Sequence, residues 1–336
     1  APPAAAPQDG GDRGQRRLNH RRPNPMVKPE RRTKADLLAA ASIAVVIAVA
    51  ATVIWWVSDA RHTTSRPADV PATSPATAGA APVALHQLWS APSPATTRPV
   101  LVGGTAVTGD GPAMTGRDPQ TGEPLWGYSR GTDLCGVSWV YRYALAVYPD
   151  RRGCGQVSAV NGSTGRRGPA RSSYADTVVT LSSDGTTVLS TGATRLELWR
   201  SDLVRMLSYG EIDARVKPSD RGLGSGCTLA SAAASSAAVS VLEACEGRAD
   251  LQLTLLRPAK AEDQPDLREV PLPGITAESG AQVLLVADTS TAVYLPVPQP
   301  RAQVFDETGT VVETTPLPGP PTATAVSKPG AVVTVW

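Results

Sequence analysis

Residues 117–126 read RDPQTGEPLW, and this stretch decides how the rest of the chain is interpreted. Its pattern recurs at residues 160–166 (VNGSTGR) and 305–312 (FDETGTVV), each with Asp or Asn and then Thr-Gly before a new apolar run. An Asp or Asn side chain caps such a turn, and a Gly takes the positive-φ position that hairpin loops of three to five residues commonly need. The copies therefore predict tight hairpins between antiparallel strands. Residues 197–203 (ELWRSDL) form a fourth copy that lacks the Gly.

Paired apolar runs accompany these turns. Residues 178–190 (VVTLSSDGTTVLS) contain two such runs around the hairpin signal Asp184-Gly185. Similar pairs occur within residues 283–295 and 325–335. Each unit thus holds about four short strands in roughly 37–47 residues, a period typical of a β-propeller blade. A β-sandwich also has many short strands but no sequence repeat of this length. We predict an all-β fold, a β-propeller of four-stranded blades.

The number of units sets the expected size of the propeller. Five are near-complete, and a sixth begins at about residue 321 with two of its strands before residue 336. We therefore expect about six or more blades, C-terminally incomplete in this chain. Residues 88–90 (LWS) resemble the end of the first unit at 125–127 (LWG), so residues 84–90 are expected to form an outer strand. The near-complete units are expected at about residues 97–128, 132–171, 174–210, 222–273 and 280–317.

An apolar strand followed by Asp-x-x-Thr-Gly-x-x-x-Trp, as from Asp118 to Trp126, resembles the PQQ-like (quinoprotein-type) β-propeller repeat. The resemblance covers about residues 84–336 and is clearest at 112–128 and weakest at 211–273. As a whole, the chain resembles Ala/Val-rich, single-pass membrane proteins of actinobacteria. The resemblance implies a propeller fold, and similar propellers serve as scaffolds for envelope assembly; it is hardly specific for function.

Composition excludes several protein classes. The chain has 336 residues, with 32 Lys and Arg against 30 Asp and Glu, so no overall charge points to nucleic acid or an acidic substrate. Aromatic residues make up 4%, while 30 Gly and 31 Pro exclude a long coiled coil and favour short strands with turns.

The basic residues are concentrated near the N-terminus. Residues 1–36 are predicted to be a disordered cytoplasmic tail, because Ala-Pro repeats and a basic run cannot bury enough apolar surface to fold. The same charges would attract anionic lipid of the inner leaflet, and nucleic-acid binding is not expected. The basic run consists of Arg13, Arg16, Arg17, Arg21, Arg22, Lys28, Arg31, Arg32 and Lys34.

Residues 37–57 are predicted to form a transmembrane helix. They carry no charge, and a run of about 20 apolar residues spans the hydrocarbon core of a bilayer. Trp55 and Trp56 end the run where an interfacial aromatic belt would lie. The basic residues before it place the N-terminus in the cytoplasm and the rest outside. A cleaved signal peptide is the alternative, but the run is long for one and Trp-Trp is a poor cleavage site.

Residues 58–83 contain four prolines among Ala, Ser and Thr without apolar periodicity. This composition predicts an extended Pro/Ala-rich linker. Residues 84–336 are then the extracytoplasmic propeller domain.

The four cysteines fall into two local pairs. Cys135 and Cys154 are 19 residues apart, and Cys227 and Cys245 are 18 apart, each pair bracketing apolar strands of one unit. An even number of cysteines outside the cytoplasm is typical of disulfides, and this spacing favours these two pairs among three connectivities. Free thiols and a zinc site are the alternatives; there is no Cys-x-x-Cys.

No set of residues assembles into a catalytic motif, so we predict no catalytic, cofactor-binding or metal-binding residue. His86 is expected on an edge strand, and no Gly-x-Ser-x-Gly nucleophile turn accompanies it. Residues 222–226 (GLGSG) are expected to be a loop between blades. A quinoprotein enzyme would need calcium, a catalytic Asp and a Trp floor, whereas the Trp residues here are expected to pack blades. These are Trp89, Trp126 and Trp199.

The predicted function is that of a membrane-anchored scaffold that binds protein partners in the cell envelope. Propellers present rigid faces built from loops, and loops carry recognition. Glu262, Asp263 and Asp266 are expected in an acidic loop. The simpler interpretation is a solvent-exposed loop without a specific role, and the alternative is a loop that binds a partner. Two alternatives stay open: a ligand sensor that signals through the single helix, and a quinoprotein-like enzyme whose site lies in further C-terminal blades.

Overall fold

A computed structural model describes residues 33–58, 61–75, 86–212, 222–259, 261, 264–319, 326–328 and 331–333. The chain divides into two compact units, Ala1–Val57 and Ser58–Trp336. The predicted tail is outside the described residues except at its last four positions.

The first unit contains one helix, α1, which spans Lys34–Val57 and has 24 residues. At 1.5 Å per residue it is about 36 Å long, enough to cross a membrane. Thr33 and Asp36 cap its start reciprocally: the Thr33 amide donates to Asp36 Oδ2 (2.8 Å), and the Asp36 amide donates to Thr33 Oγ1 (3.2 Å). The helix therefore begins three residues before the predicted apolar run and ends where that run ends.

In its described residues, the second unit contains five antiparallel sheets with four strands each in chain order, a further strand that joins the first of them, and one two-stranded sheet. The first sheet comprises β1 Thr64–Arg66, β2 Val100–Val102, β3 Thr105–Asp110, β4 Ala113–Arg117 and β5 Pro124–Ser129, in the order β1-β5-β4-β3-β2. The second comprises β6 Gly136–Val140, β7 Tyr143–Asp150, β8 Gly153–Asn161 and β9 Arg167–Ser172. The third comprises β10 Thr180–Ser183, β11 Thr187–Thr191, β12 Arg195–Arg200 and β13 Arg205–Gly210.

The remaining strands continue the same scheme. The fourth sheet comprises β14 Cys227–Ala234, β15 Val239–Cys245, β16 Gln252–Arg257 and β17 Asp266–Pro271. The fifth comprises β18 Gln282–Ala287, β19 Ser290–Leu295, β20 Arg301–Phe305 and β21 Val311–Pro316, after a short 3₁₀ helix at Ala277–Ser279. A hairpin of β22 Val326–Lys328 and β23 Ala331–Val333 follows.

Consecutive sheets pack face to face, which makes each sheet a propeller blade. Four clusters of buried apolar side chains occupy the four junctions between successive sheets. Strand β7 shows how period-two alternation achieves this: Ala144 and Ala146 pack toward the first sheet, whereas Leu145 and Val147 pack toward the third. The first strands of successive sheets contact one another, so they lie innermost. The predicted all-β propeller and the limits of its five complete units are confirmed.

The segment before the first blade differs from the expected linker. Residues 64–66 pair with β5 and cover the outer edge of the first blade. The Ala68 amide donates to the Thr164 carbonyl (3.0 Å), and the Ala72 amide donates to the Ser163 carbonyl (2.8 Å). Residues 68–72 therefore pack along the Asx-Thr-Gly turn of the second blade. The expected outer strand at 84–90 is wrong, because residues 86–90 form no strand and β1 occupies that edge instead. The domain boundary at residue 84 stays a prediction.

The repeated turns have the predicted geometry. Asp118 Oδ1 accepts the amides of Gln120 (2.7 Å) and Thr121 (3.0 Å). Asn161 Oδ1 accepts the equivalent amides in the second blade, whereas Asp306 Oδ1 in the fifth blade accepts the amides two and four residues on. The glycines of these turns, at 122, 165 and 309, have φ of 77°, 67° and 82°. The Asx cap and the positive-φ Gly are therefore structural features of the repeat.

The fourth copy, residues 197–203, forms a turn without a Gly. Leu203, which follows Asp202, has φ of 64°, and the Asp202 carboxylate accepts the Val204 amide at 3.1 Å. A branched side chain is strained in this left-handed region, but Leu203 is buried in the junction between the second and third blades. Packing thus holds a conformation that the residue itself disfavours.

Candidate functional site

A cavity of about 510 Å³ opens between the third and fourth blades. One wall is formed by β10 and the turn after β11, and another by β14. Thr97 and Arg98, which precede β2 of the first blade, complete it. Because innermost strands of separate blades and the start of the first blade converge here, the cavity lies at the centre of the propeller.

A second cavity of about 130 Å³ adjoins the first along the same strands. Arg98, Ser182 and Ala232 line both cavities, and the second continues to residues 283–286 of β18. Along β14 the combined lining runs from Leu229 to Ala234. At about 3.3 Å per residue this is about 17 Å, so the two cavities form one elongated channel.

Arg98 is the one basic residue that lines this channel in the described part of the chain. Its side chain is reachable by solvent, yet the surrounding strands remove part of its hydration, and this desolvation lowers the pKa of the guanidinium below its ordinary value. Among the described residues, no carboxylate lines the larger cavity. The smaller one contains Asp184, whose Oδ1 already accepts the amides of Thr186 (2.8 Å) and Thr187 (2.6 Å).

The rest of the channel wall combines hydroxyl-bearing and Ala residues with Val and Leu. Each of β10 and β14 has a single ladder partner in its sheet, so its other edge faces the channel. Strand edges of this kind present backbone donors and acceptors to a ligand. The hydroxyl-bearing residues of the larger cavity are Thr97, Thr180, Ser182, Thr191 and Ser231. The arrangement suits recognition of an anion by one cation, hydroxyls and backbone amides.

The predicted cysteine pairs are each brought together. The sulfur atoms of Cys135 and Cys154 are at bonding distance with Cα atoms 5.9 Å apart, and those of Cys227 and Cys245 likewise with Cα atoms 4.0 Å apart. Cys227 and Cys245 are direct partners in the β14–β15 ladder. No cysteine in the chain is left free.

Glu243 lies beside the second cysteine pair and is completely buried. A carboxylate oxygen of Glu243 and the two sulfur atoms fall within 4.8 Å of one another, the one such group of possible metal ligands in the described residues. The two sulfur atoms are at bonding distance, and a bond between them would remove both thiolates from that set. Glu243 Oε1 accepts hydrogen bonds from Tyr209 Oη (2.8 Å), Gln252 Nε2 (2.9 Å) and Thr254 Oγ1 (2.5 Å).

A second buried carboxylate, Glu197, lies on β12 within a cluster of cations. It forms ion pairs with Arg171 (2.9 Å), Arg195 (2.8 Å) and Arg205 (3.1 Å). Trp199 Nε1 also donates to its Oε2 at 2.9 Å. Burial alone would raise the pKa of Glu197, but the charges of Arg171 and Arg195 and these hydrogen bonds outweigh it, so its pKa is lowered. With every carboxylate oxygen engaged, the cluster is structural.

The other residues considered from the sequence are dispersed. His86 is exposed and lies outside any strand, so its expected place on an edge strand is wrong. Trp126 and Trp89 pack on turns of the following blades, and Trp199, one residue before the end of β12, is buried at the junction between the second and third blades, so all three pack blades as expected. Glu262 and Asp263 are outside the described residues, and Asp266 begins β17 rather than belonging to a loop.

Arg98 was not singled out by the sequence. It is followed by a Pro and then by an apolar strand, a context shared by many surface arginines, and only the convergence of three other blades on it reveals the channel.

No family model matches this chain. No curated protein matches it in sequence. Similar solved structures include BamB from Moraxella catarrhalis, which is 11% identical with a TM-score of 0.41 over 65% of this chain and 63% of BamB. Hsv2 from Kluyveromyces marxianus is 13% identical, TM-score 0.41, over 66% and 73% of the two chains. BBS1N, crystallised in complex with ARL6DN, is 12% identical, TM-score 0.41, over 68% and 70%.

The chain thus spans 63% of the length of BamB. The strand pairing and the packing between blades define the propeller fold.

Proposed function

We propose that this protein is a membrane-anchored, extracytoplasmic β-propeller that binds a protein partner in the cell envelope, without catalysis. The observation that carries the proposal is the elongated central channel, lined by innermost strand edges and by Arg98, the one cation that lines it among the described residues. A rigid channel with free strand edges suits an extended polypeptide segment, because main-chain hydrogen bonds supply affinity.

Membrane anchoring is supported by α1. The helix is apolar, 24 residues long and exposed along its length. Nine basic residues precede its apolar run, and this asymmetry favours a cytoplasmic N-terminus under the positive-inside rule. The same residues would hold the tail against anionic lipid.

An extracytoplasmic location is supported by the cysteines. We propose that Cys135–Cys154 and Cys227–Cys245 are disulfides in the mature protein, which an oxidising compartment would maintain. The Asx-Thr-Gly turns and the Trp residues that pack on them support membership of the PQQ-like repeat class, and the likeness to actinobacterial membrane proteins remains part of the proposal.

The function is tested by site-specific photocrosslinking of the full-length protein in membranes of its native host. A photoreactive residue replaces Val178, which lines the channel and is 78% exposed. The matched control replaces Val312, which is 58% exposed on β21 and does not line the channel. We expect a protein adduct of defined mass at position 178 that is absent at position 312.

Equal labelling at both positions would mean nonspecific contact. Absence of any adduct at position 178 would contradict the protein-binding proposal.

A further inference from the structure

The residues that line the central channel restrict the class of ligand that it can bind. This inference rests on the proposed function. Arg98 forms no hydrogen bond or ion pair in the described part of the chain, although it lies where the two cavities meet. Most exposed arginines are hydrated on all sides, whereas this one is partly desolvated by the strands around it. A desolvated cation without an anionic partner is preorganised to bind one, because part of the desolvation cost is already met.

The shape of the channel limits what that anion can belong to. The lining along β14 extends about 17 Å, the length of an extended segment of about five residues. Its walls combine Ser, Thr and Ala with Val and Leu, and among the described residues no aromatic side chain lines it that would stack on a ring. The inner edges of β10 and β14 have no ladder partner and offer main-chain groups in strand geometry, apart from the Leu229 amide, which donates to the Ala193 carbonyl. These features fit a peptide better than a nucleotide or a sugar.

We propose that the channel binds an extended peptide segment of the partner and that Arg98 pairs with a carboxylate of that segment. The guanidinium can engage a carboxylate through two parallel hydrogen bonds, which fixes position as well as charge. Hydroxyls of Thr180 and Ser182 on β10 and of Ser231 on β14 line the same space. The carboxylate can belong to an Asp or Glu side chain or to a free C-terminus, and both present the same group to Arg98.

The test begins with a selection of random heptapeptides from a phage library against the full chain in detergent. Each enriched peptide is synthesised in three further forms: with Asp or Glu replaced by Asn or Gln, with an amidated C-terminus, and with both changes. Binding is measured by fluorescence anisotropy for the wild type, Arg98→Gln, Arg98→Lys and the control Arg151→Gln. Arg151 is an exposed arginine at the β7–β8 hairpin and does not line the channel.

We expect Arg98→Gln to weaken peptide binding at least tenfold, and Arg98→Lys to weaken it less, because Lys keeps the charge but not the bidentate geometry. Arg151→Gln should leave affinity within twofold. Neutralising the peptide carboxylate that pairs with Arg98 should lower the affinity as much as Arg98→Gln does. Combining the neutralised peptide with Arg98→Gln should lower the affinity no further than either change alone. The form that loses affinity identifies a side-chain or a C-terminal source.

Several outcomes would overturn the inference. Enriched peptides that bind Arg98→Gln as tightly as the wild type would remove Arg98 from recognition, and an empty selection would remove peptide binding in the channel. Displacement of every peptide by sodium acetate at an equal concentration would make this a site for small free carboxylates. In each case a position-178 adduct would keep the proposed function in place, so the two failures are distinguishable. Equal melting temperatures for all variants exclude misfolding as the cause.

Discussion

Glu197 shows at the scale of one residue how a propeller junction tolerates buried charge. Its side chain is 4% exposed and faces Arg195, which is 7% exposed, and Arg171, which is 15% exposed. A carboxylate this deeply buried is stable only while its cations and hydrogen-bond donors surround it. The Arg171 guanidinium also lies over the Trp199 ring at 5.7 Å and so joins the second blade to the third.

Replacement of Glu197 by Gln should destabilise the protein by about 3–5 kcal/mol at pH 7, because it leaves buried guanidinium groups without their anion. The folded-state pKa of Glu197 is below its ordinary value of 4.5, so its contribution is complete above about pH 4.5 and is lost as the pH falls through the folded-state pKa. The difference in unfolding free energy between wild type and Glu197→Gln should therefore narrow below pH 4.5. Urea denaturation of both proteins from pH 7 to pH 3 measures this difference in unfolding free energy.

Glu123→Gln is the matched control, since Glu123 is exposed in a turn of the first blade. Its effect should stay within about 0.5 kcal/mol at every pH. A difference for Glu197→Gln that stays constant down to pH 3 would show that the Glu197 charge is not the source of the stability.

At the scale of elements, two Trp side chains pack on Thr-Gly turns, those of the first and second blades. Trp126, at the end of the first blade, donates from Nε1 to the Gly162 carbonyl (2.6 Å) and packs against Gly165 of the second blade. Trp89 repeats this geometry one blade earlier: it donates to the Pro119 carbonyl (2.9 Å) and packs against Gly122. The Thr-Gly turn is therefore a docking surface as well as a hairpin.

Gly165→Ala should destabilise the protein by about 1–3 kcal/mol or more. Gly165 has φ of 67°, and an added Cβ would lie 2.4 Å from the Trp126 Cβ, so both the backbone and the packing oppose the change. Gly127→Ala is the control, because Gly127 has no positive φ and nothing lies within 4 Å of its would-be Cβ. It should be neutral or stabilising by up to about 1 kcal/mol. Thermal unfolding of the two variants compares them; equal effects would contradict the docking interpretation.

The two cysteine pairs should each stabilise one blade. Replacing both cysteines of either pair by Ser should cost about 3 kcal/mol, because closed loops of 18 or 19 residues restrict the unfolded chain. The pairs lie in the second and fourth blades, so their effects should add. Denaturant titration with and without a reducing agent measures each contribution. Labelling of four thiols in the unfolded, unreduced wild type would refute the proposed disulfides.

At the scale of the whole molecule, the proposed topology places the tail and the propeller on opposite sides of a membrane. Gln120→Cys, in an exposed turn of the first blade, should react with a membrane-impermeant maleimide in intact cells. Lys28→Cys, in the basic tail, should react only after lysis. The physical reason is the excess of basic residues before α1.

Removal of the charge asymmetry provides the control. Changing the basic residues of the tail to Gln should reduce the fraction of Gln120→Cys molecules that are labelled from outside, since Lys and Arg counts set the orientation. Reaction of both single-cysteine substitutions in intact cells would contradict a single span with this orientation.

Much of this molecule could be predicted from local pattern alone. The end of α1 at Val57 could be predicted, because the length of an apolar run is read directly from the sequence. The turns at Asp118, Asn161 and Asp306 could be predicted because an Asx cap and a positive-φ Gly act within a few residues. The blade limits followed from the same turns, and the cysteine pairs from short loops within one blade.

Other features depended on contacts between distant parts of the chain. Residues 64–66 have no apolar alternation, yet they complete the edge of β5, because strand pairing uses backbone groups that every residue carries. Leu203 keeps a left-handed conformation because burial between two blades outweighs its strain. Glu197 forms ion pairs with Arg residues of three strands. Arg98 lines a channel together with residues of the third, fourth and fifth blades. The sequence by itself thus determined the repeating unit, and only the tertiary structure decided the channel, because the channel exists only where separate blades converge.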